Sequence, residues 1–169
     1  MNNLILVDEK DTPIGTAEKL EAHEKALLHR AFSVFVFRHN EDDIELLLQQ
    51  RAHDKYHCGG LWTNTCCSHP APGEQTVAAG ERRLHEELGF STTLTDVGHF
   101  IYRAEFDNGL VEHELDHVLV GWYQGEVINI NPDEVAAVKW LNLQAVKDQA
   151  LSFTPWFGQA FEIALSVTV

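Results

Sequence analysis

Two neighbouring apolar segments constrain the fold more than any other part of this sequence. Ala31 to Arg38 reads AFSVFVFR and Ile44 to Arg51 reads IELLLQQR, with the polar turn Asn40 to Asp43 between them. In both segments bulky apolar residues occupy successive positions, whereas a strand with one solvated face alternates apolar and polar residues. The pattern therefore predicts two paired strands that are buried on both faces, at the centre of a sheet covered by helices.

Hairpins are predicted before and after this central pair. At the N-terminus, the apolar run Asn2 to Val7, a polar turn and the returning segment Ile14 to Thr16 indicate an edge hairpin. A longer hairpin is predicted from the strands Asp96 to Phe106 and Leu110 to Tyr123, because the Asp107-Asn108-Gly109 turn between them is typical of tight hairpins. Two further strands are expected at Gly125 to Ile130 and Lys139 to Leu141.

The segment Glu74 to Leu88 is predicted to be helical, because it contains strong helix formers and ends before a glycine that suits a C-cap. Glu86 and Glu87 meet the negative end of the helix dipole, which costs roughly 0.3 to 1 kcal/mol for each exposed carboxylate. A bound cation would offset this cost, and so would ion pairs with Arg82 and Arg83. Other helices are expected at Glu18 to Arg30, Asn142 to Ala150 and Pro155 to Leu165, the last with Thr154 as N-cap.

The length, charge and cysteine content of the chain narrow its class. A chain of 169 residues suits one domain, residues 1–169. Its formal net charge of −14 argues against a nucleic-acid or anionic-membrane partner, because both need clustered Lys and Arg. No apolar run reaches the roughly 20 residues that span a bilayer, and no signal-peptide pattern is present. Three cysteines are too few for a disulfide framework, so we expect a soluble, cytoplasmic protein with reduced thiols.

The stretch Trp62 to Pro70, reading WTNTCCSHP, holds candidate functional residues. If the stretch is extended, residues two apart point to the same side, so Cys67 and His69 share one face while Cys66 and Ser68 share the other. This alternation selects Cys67 as the thiol beside the imidazole. The pair is compatible with a nucleophile and its base, with a metal site, or with a buried thiol.

Other candidate ligands lie far apart in the sequence. His23 and His29 would stand about 120° apart on one helix, so they can meet at one metal only if the segment bends or leaves the helix. On the strand after Gly109, one face carries an acidic row that is either solvated or a set of ligands: Glu112, Glu114 and Asp116. The loop that follows Arg51, with Lys55 and a glycine pair, suits either an anion or a solvated turn.

Four segments in this order, LLHRAFSVFVF, WTNTCCSHP, RRLHEELG and VEHELDH, resemble the type I isopentenyl diphosphate isomerases, a branch of the Nudix superfamily. The resemblance extends from about Lys19 to Trp156. It implies an α+β fold, a Nudix-type α/β/α sandwich with a mixed, largely antiparallel sheet and flanking helices. It also implies a metal-dependent interconversion of two small diphosphates, isopentenyl and dimethylallyl diphosphate.

Carried over position by position, the resemblance implies roles for individual residues. One metal would be bound by His23, His29, His69, Glu112 and Glu114, a donor set that suits Mn²⁺, Zn²⁺ or, less typically, Mg²⁺. A second ion, Mg²⁺ carried with the diphosphate, would bind Glu87. The diphosphate itself would bind Lys19, Arg51, Lys55 and Arg83. Proton transfer falls to Cys67 and Glu114, assisted by Tyr102, and Trp156 would lie over the carbocation.

Two other functions stay open. A Nudix pyrophosphohydrolase is the alternative enzyme, although Arg83 stands where the general Nudix helix has a glutamate and hydrolysis has no use for Cys67. A non-catalytic module would need a zinc site closed by histidines and by Cys58, Cys66 and Cys67, although the chain has no CxxC pair.

Overall fold

A mixed sheet with helices on both faces makes up the fold in the computed structural model, which describes residues 3–55 and 58–168. Over these ranges the strands are β1 (Asn3–Val7), β2 (Pro13–Glu18), β3 (His29–Asn40), β4 (Asp43–Arg51), β5 (Trp62–Thr63), β6 (Cys66–Ser68), β7 (Thr95–Glu105), β8 (Val111–Trp122) and β9 (Val135–Asn142). The helices are α1 (Lys19–Glu24), α2 (Thr76–Leu88), α3 (Leu143–Gln149) and α4 (Phe157–Thr168), with a 3-10 turn at Ala150–Ser152. Over the same ranges no helix is both long and apolar enough to cross a membrane.

The sheet is arranged around β3. This strand pairs in parallel with β8, from His29 opposite Glu114 to Phe37 opposite Trp122. Its other edge pairs antiparallel with β6 near its start and with β4 near its end, where Phe37 faces Leu46. All other strand pairs among the described residues are antiparallel, so the predicted mixed, largely antiparallel sheet is confirmed.

Alternate side chains of β3 enter two different cores, as expected for a strand buried on both faces. Val34 and Val36 pack in a core with Leu84 and Leu88 of α2. Phe35 and Phe37 pack on the opposite face with α3 and α4, whose buried residues there are Val146, Phe157, Ala160, Phe161 and Ala164. Each fully buried side chain of this size contributes about 1.5 to 3 kcal/mol. Burial on both faces therefore fixes β3 at the middle of the α/β/α sandwich.

The hairpins and the long helix form where the sequence predicts them. β1 pairs antiparallel with β2, and β7 pairs antiparallel with β8 across a turn where Gly109 has a φ of 82°. α2 ends at Leu88 and is followed by Gly89, which takes the left-handed conformation of a helix C-cap with a φ of 75°. The helix begins two residues later than expected, because Glu74 lies before it and accepts a hydrogen bond from Arg82 instead.

The predicted helix from Glu18 to Arg30 is too long. α1 ends at Glu24, and the chain then reverses through Ala26, which has a φ of 55°. The amide of Leu27 donates to the carbonyl of Ala22 and closes the turn. His29 is therefore the first residue of β3 and does not belong to the helix.

Two further sequence expectations are wrong. Gly125 to Ile130 forms no strand, because the amides of Asn129 and Asn131 donate to the last carbonyls of α2, those of Leu88 and Glu87, rather than to a neighbouring strand. Thr154 does not cap the last helix, which begins at Phe157. Its hydroxyl instead forms a hydrogen bond with that of Thr63, at 2.7 Å.

A charged cluster fastens the N-terminal hairpin to the rest of the sheet. The ring of His117 on β8 lies between two carboxylates, with Nδ1 2.6 Å from Asp96 and Nε2 2.8 Å from Asp11 in the β1–β2 turn. Arg30 donates to both the side chain and the carbonyl of Asp11. Burial opposes the charge on the imidazole, but the hydrogen bond and charge of Asp96 and the charge of Asp11 raise the pKa of His117.

Replacing His117 with Gln is expected to lower the free energy of unfolding by about 2 kcal/mol at pH 6, the size of a charge-assisted hydrogen bond. A raised pKa in the folded state means that the stabilisation is complete below the ordinary histidine pKa and is lost as pH rises through the raised value. The difference between wild type and variant should therefore shrink at pH 9. Urea unfolding at both pH values measures it, and equal differences would contradict a role for the protonated ring.

Candidate active site

The residues singled out in the sequence converge on a cavity of about 370 Å³. Those that line it are Lys19, Arg51, Lys55, Cys67, His69, Arg83, Glu87, Glu112, Glu114 and Trp156. His23, His29 and Tyr102 are buried and contact lining residues through their rings. Segments from both ends of the chain thus supply a common site.

The core of a candidate metal centre consists of His29, His69 and Glu114. Each offers one ligand atom, and these atoms all lie within 4.8 Å of one another. Oε2 of Glu114 is 3.1 Å from Nε2 of His69 and 3.5 Å from Nε2 of His29. Two imidazoles and a carboxylate in this arrangement could hold a divalent cation.

Hydrogen bonds fix the tautomers of two of the histidines. Nδ1 of His23 is 2.7 Å from the carbonyl oxygen of Lys19, and Nδ1 of His29 is 2.9 Å from that of Leu27. A carbonyl oxygen can only accept, so both Nδ1 atoms carry the hydrogen, and in the neutral form of each ring the Nε2 atom keeps the lone pair. Metal-binding histidines are commonly oriented in this way.

The end of α1 explains how His23 and His29 meet. Because the helix stops at Glu24 and the chain turns back into β3, the two ring centroids lie 5.4 Å apart. His23 and His29 can bind one metal only if this segment leaves the helix, and it does so after Glu24. Burial lowers the pKa of His23, and burial lowers that of His69 to about 4, so both rings are neutral at neutral pH.

His23 and Glu112 lie beside the three-residue cluster but outside its 4.8 Å group. Glu112 and Glu114 share one face of β8, as the strand alternation predicts, and both are buried. Burial and the neighbouring charge of Glu114 raise the pKa of Glu112. Burial acts in the same direction on Glu114, but the hydrogen bond with His69 and the nearby ring of His29 lower its pKa below the ordinary range. A cation bound here would favour the ionised form of both carboxylates.

Positive charge is concentrated elsewhere in the same cavity, at Lys19, Arg51, Lys55 and Arg83. Burial, together with the charges of Lys55 and Arg51, lowers the pKa of Lys19. Glu134 partly neutralises this group, since it forms an ion pair with Lys55 and lies 3.6 Å from Arg83. Such a concentration of like charge suits an anionic ligand.

Glu87 connects α2 to the cationic group. Its Oε2 accepts from Arg83 at 2.8 Å, and its Oε1 accepts from the buried amide of Gln49 at 3.0 Å. The ion pair expected from the sequence is therefore present, and the carboxylate also lines the cavity. The ion-pair explanation for an acidic residue at this helix end is confirmed, and cation binding by Glu87 stays a prediction.

Cys66 and Cys67 lie on opposite faces of β6, so the predicted strand alternation is confirmed. Cys66 is fully buried in the core with Val34 and α2. Cys67 pairs with Ser33 and lines the cavity, with its sulfur 3.2 Å from Oδ1 of Asn64. Burial and the charge of Asp116 raise the pKa of Cys67 to about 12, so it is a neutral thiol at physiological pH.

Trp156 and Tyr102 form the aromatic part of the site. Their rings meet edge to face with centroids 6.1 Å apart, and the guanidinium of Arg51 lies 5.5 Å from the Trp156 ring centroid. Tyr102 faces Glu114 across the β7–β8 pair. Its buried hydroxyl has no hydrogen-bond partner within the described part of the chain, which leaves it available to a ligand.

The sequence pattern does not identify three residues of this site as functional candidates. Glu134 stands in a turn, and Gln49 sits on a strand whose alternation marks it only as buried. Asn64 belongs to the stretch that contains Cys67, but it lies three residues away and so outside the same-face alternation. Their partners become visible only once distant segments are brought together.

Comparison with known proteins places this geometry in a family. The NUDIX domain family model matches residues 27–160. Two curated proteins, each named isopentenyl-diphosphate Delta-isomerase, are similar over nearly the whole chain. The protein of Pectobacterium atrosepticum is 48% identical, covering 95% of this chain and 90% of its own length; that of Burkholderia multivorans is 51% identical, covering 95% and 92%.

A solved structure supports the fold. A protein of Deinococcus radiodurans superimposes with a TM-score of 0.70 at 15% sequence identity, covering 95% of this chain and 96% of its own. At this identity the likeness concerns the fold alone, whereas the family model and the curated relatives concern the sequence. The chain therefore belongs to the NUDIX family and, within it, to the isopentenyl-diphosphate Delta-isomerases.

Proposed function

We propose that this chain interconverts isopentenyl diphosphate and dimethylallyl diphosphate through a tertiary carbocation. Adding a proton at one end of the alkene and removing another from the allylic carbon requires an acid and a base in one site. The observation that carries the proposal is that a neutral thiol, Cys67, and an ionised carboxylate, Glu114, line the same cavity. One of them donates while the other accepts, and the roles exchange in the reverse direction.

The cationic group is proposed to hold the diphosphate. Lys19, Arg51, Lys55 and Arg83 line the cavity together. Burial and then the charges of Lys55 and Arg51 lower the pKa of Lys19, and an anion bound here would offset the repulsion among these cations. Arg83 can bind diphosphate oxygens with two parallel N–H donors. A substrate anchored at this end is positioned with its hydrocarbon end free for the proton-transfer groups.

The aromatic groups are proposed to stabilise the positive charge of the intermediate. A ring face attracts a desolvated cation by about 2 kcal/mol or more, and Trp156 is buried at the cavity wall. Tyr102 supplies a hydroxyl near Glu114 and assists proton transfer there. Burial also keeps out water, which would otherwise capture a carbocation.

We further propose a divalent cation at His23, His29, His69, Glu112 and Glu114, with Mn²⁺, Zn²⁺ or Mg²⁺ as the candidates. The buried Nε2 lone pair of His29 and the carboxylate of Glu114 fit such an ion. When bound, it stabilises negative charge on the carboxylates and orients them. Glu87 is proposed to hold Mg²⁺ that arrives with the diphosphate.

Residues 1–169 are proposed to act as one catalytic domain in the cytoplasm. The three cysteines are free, and a reduced Cys67 is what proton transfer by a thiol requires. The two alternative functions fit the site less well. Cys66 and Cys67 face opposite sides of β6 and so cannot both bind one zinc ion. Arg83 occupies the place where a Nudix hydrolase has a glutamate, and it forms an ion pair with Glu87.

Incubation of the protein with isopentenyl diphosphate and Mg²⁺ in D₂O separates these functions. Isomerisation is expected to place deuterium in a methyl group of dimethylallyl diphosphate and at the allylic carbon, because the added proton comes from solvent-exchanged groups. Nuclear magnetic resonance of the product detects both positions. Release of phosphate would instead support hydrolysis, and an unchanged substrate would support a binding module.

Replacing Cys67 with Ser is expected to lower kcat by about 10² to 10⁴-fold, the usual contribution of one general acid or base. The fold should be retained, because the side chain is a near isostere at the cavity wall. Cys66→Ala is the matched control, since Cys66 sits next to Cys67 but faces the core. It should cost about 1 kcal/mol of stability and leave kcat nearly unchanged. Equal losses of kcat in both variants would rule out the assigned alternation.

Replacing Glu87 with Gln is expected to raise the Mg²⁺ concentration for half-maximal activity by about tenfold, because a Mg²⁺ ion held by one or two carboxylates loses one of them. Glu86→Gln is the control. Glu86 is on the same turn of α2 and forms ion pairs with Arg82 and Arg83, but it does not line the cavity. Titration of initial rates with Mg²⁺ measures the shift. An unchanged Mg²⁺ requirement in Glu87→Gln would exclude the proposed role.

A further inference from the structure

Asn64 is a fully buried amide whose orientation is determined by its surroundings. Its nitrogen donates to the carbonyl oxygens of Val34 and Cys66, each at 3.0 Å. With the amide turned over, Oδ1 would face two oxygens that can only accept, and both would lose their donor. The nitrogen must therefore face the backbone, and Oδ1 must face the site.

The Oδ1 atom accepts hydrogen bonds from two groups that the proposed reaction uses. Nε1 of Trp156 and the sulfur of Cys67 each lie 3.2 Å from it. An amide oxygen can only accept, so the indole N–H of Trp156 and the S–H of Cys67 both donate to it. The other polar contact of the Cys67 sulfur, with the hydroxyl of Ser33, is much longer at 3.9 Å.

We propose that Asn64 is a positioning residue, which fixes the thiol of Cys67 and the ring of Trp156 relative to each other through one amide oxygen. This inference rests on the proposed isomerase function. The proton-transfer sulfur and the ring over the carbocation must face the same few carbon atoms of the substrate. A common acceptor holds them no farther apart than two hydrogen bonds, although they lie 89 positions apart in sequence. Rotation about the Cβ–Sγ bond can turn the hydrogen of the thiol toward the cavity while the sulfur stays in place.

The segment that carries Trp156 is also fastened without Asn64. The amide of Thr154 donates to the carbonyl of Trp62 at 3.1 Å, and the hydroxyls of Thr154 and Thr63 are 2.7 Å apart. Loss of the Asn64 oxygen should therefore remove the shared acceptor of the indole N–H and the thiol without releasing the segment. A role in positioning can thus be separated from a role in holding the fold.

The test compares Asn64→Ala with Thr65→Val. Thr65 is fully buried one residue away from Asn64, and its hydroxyl donates to the carbonyl of Leu47 at 2.6 Å and accepts from the amide of Val36 at 2.9 Å. Asn64→Ala is expected to lower kcat by about 10 to 100-fold, since a misplacement of about 1 Å can cost that much. The KM for isopentenyl diphosphate should stay within about twofold, because the cationic group is unchanged. Thr65→Val should lower the melting temperature and leave kcat within about twofold, because its hydroxyl bonds to the backbone of β3 and β4.

Measuring Asn64→Ala in a Trp156→Phe protein distinguishes a positioning role of Asn64 from a general loss of packing. In Trp156→Phe, the aromatic ring remains but the N–H that binds Asn64 is gone. Asn64→Ala should then lower kcat by a smaller factor than it does in the wild type, because part of the interaction is already absent. Asn64→Ser, which keeps a small polar side chain, provides the same comparison if Asn64→Ala does not fold.

The inference is overturned if kcat of the Asn64 variants is unchanged or if Thr65→Val loses as much kcat. It is also overturned if Asn64→Ala lowers kcat by the same factor in Trp156→Phe as in the wild type. Wild-type protein that fails to isomerise isopentenyl diphosphate would overturn the proposed function itself. An active wild type with unaffected Asn64 variants would overturn only the positioning role.

Discussion

The parallel pairing of β3 with β8 is the interaction on which the site depends. It places His29 directly opposite Glu114, and Ser33 one step from Asp116 on the same face. Side chains alternate along a strand, so a register shift of one residue would turn His29 and the acidic row to opposite faces of the sheet. Burial of β3 between two cores makes such a shift very unfavourable. The register of a hydrophobic strand thus determines the geometry of a polar cluster.

A change of side-chain type along one face of these two strands marks the border between site and core. On that face β3 carries His29 and Ser33 first, then Phe35 and Phe37. β8 carries its acidic residues first and then valines, which pack with α4: Val118 and Val120. The polar halves lie side by side because the strands are parallel. With antiparallel strands, the polar half of each would lie beside the apolar half of the other.

The elements that are predictable from the sequence are those determined by local periodicity. The double-faced burial of β3, the separation of Cys66 from Cys67, and the hairpin at Gly109 all follow from alternation or turn chemistry. The contacts of Asn64 with Trp156 and of Glu134 with Lys55 are different, because they join segments whose approach depends on the assembled sheet. No local pattern encodes them.

Competition between local and tertiary hydrogen bonding explains the wrong boundaries. Residues 125 to 130 have the apolar content of a strand, but the amides of Asn129 and of Asn131 just after them donate to the last carbonyls of α2. Thr154 has the side chain of an N-cap, but Thr63 is a closer partner once β5 is in place. The helix that was expected to continue to Arg30 ends where β3 can begin, and pairing of β3 with β8 outweighs one further turn of helix.

The cavity contains one group of positively charged side chains and one group of acidic side chains, and other residues of the protein compensate each group only in part. Glu134 forms an ion pair with Lys55, and the neutral ring of His69 forms a hydrogen bond with Glu114, so each group contains at least one charge that has a partner; buried charges without partners would be strongly destabilising. Repulsion nevertheless remains. It contributes, after burial, to the lowered pKa of Lys19 in one group and to the raised pKa of Glu112 in the other. An anion near Lys19 and a cation near Glu112 would each remove that repulsion, so ligand binding and the stability of the folded site are thermodynamically linked.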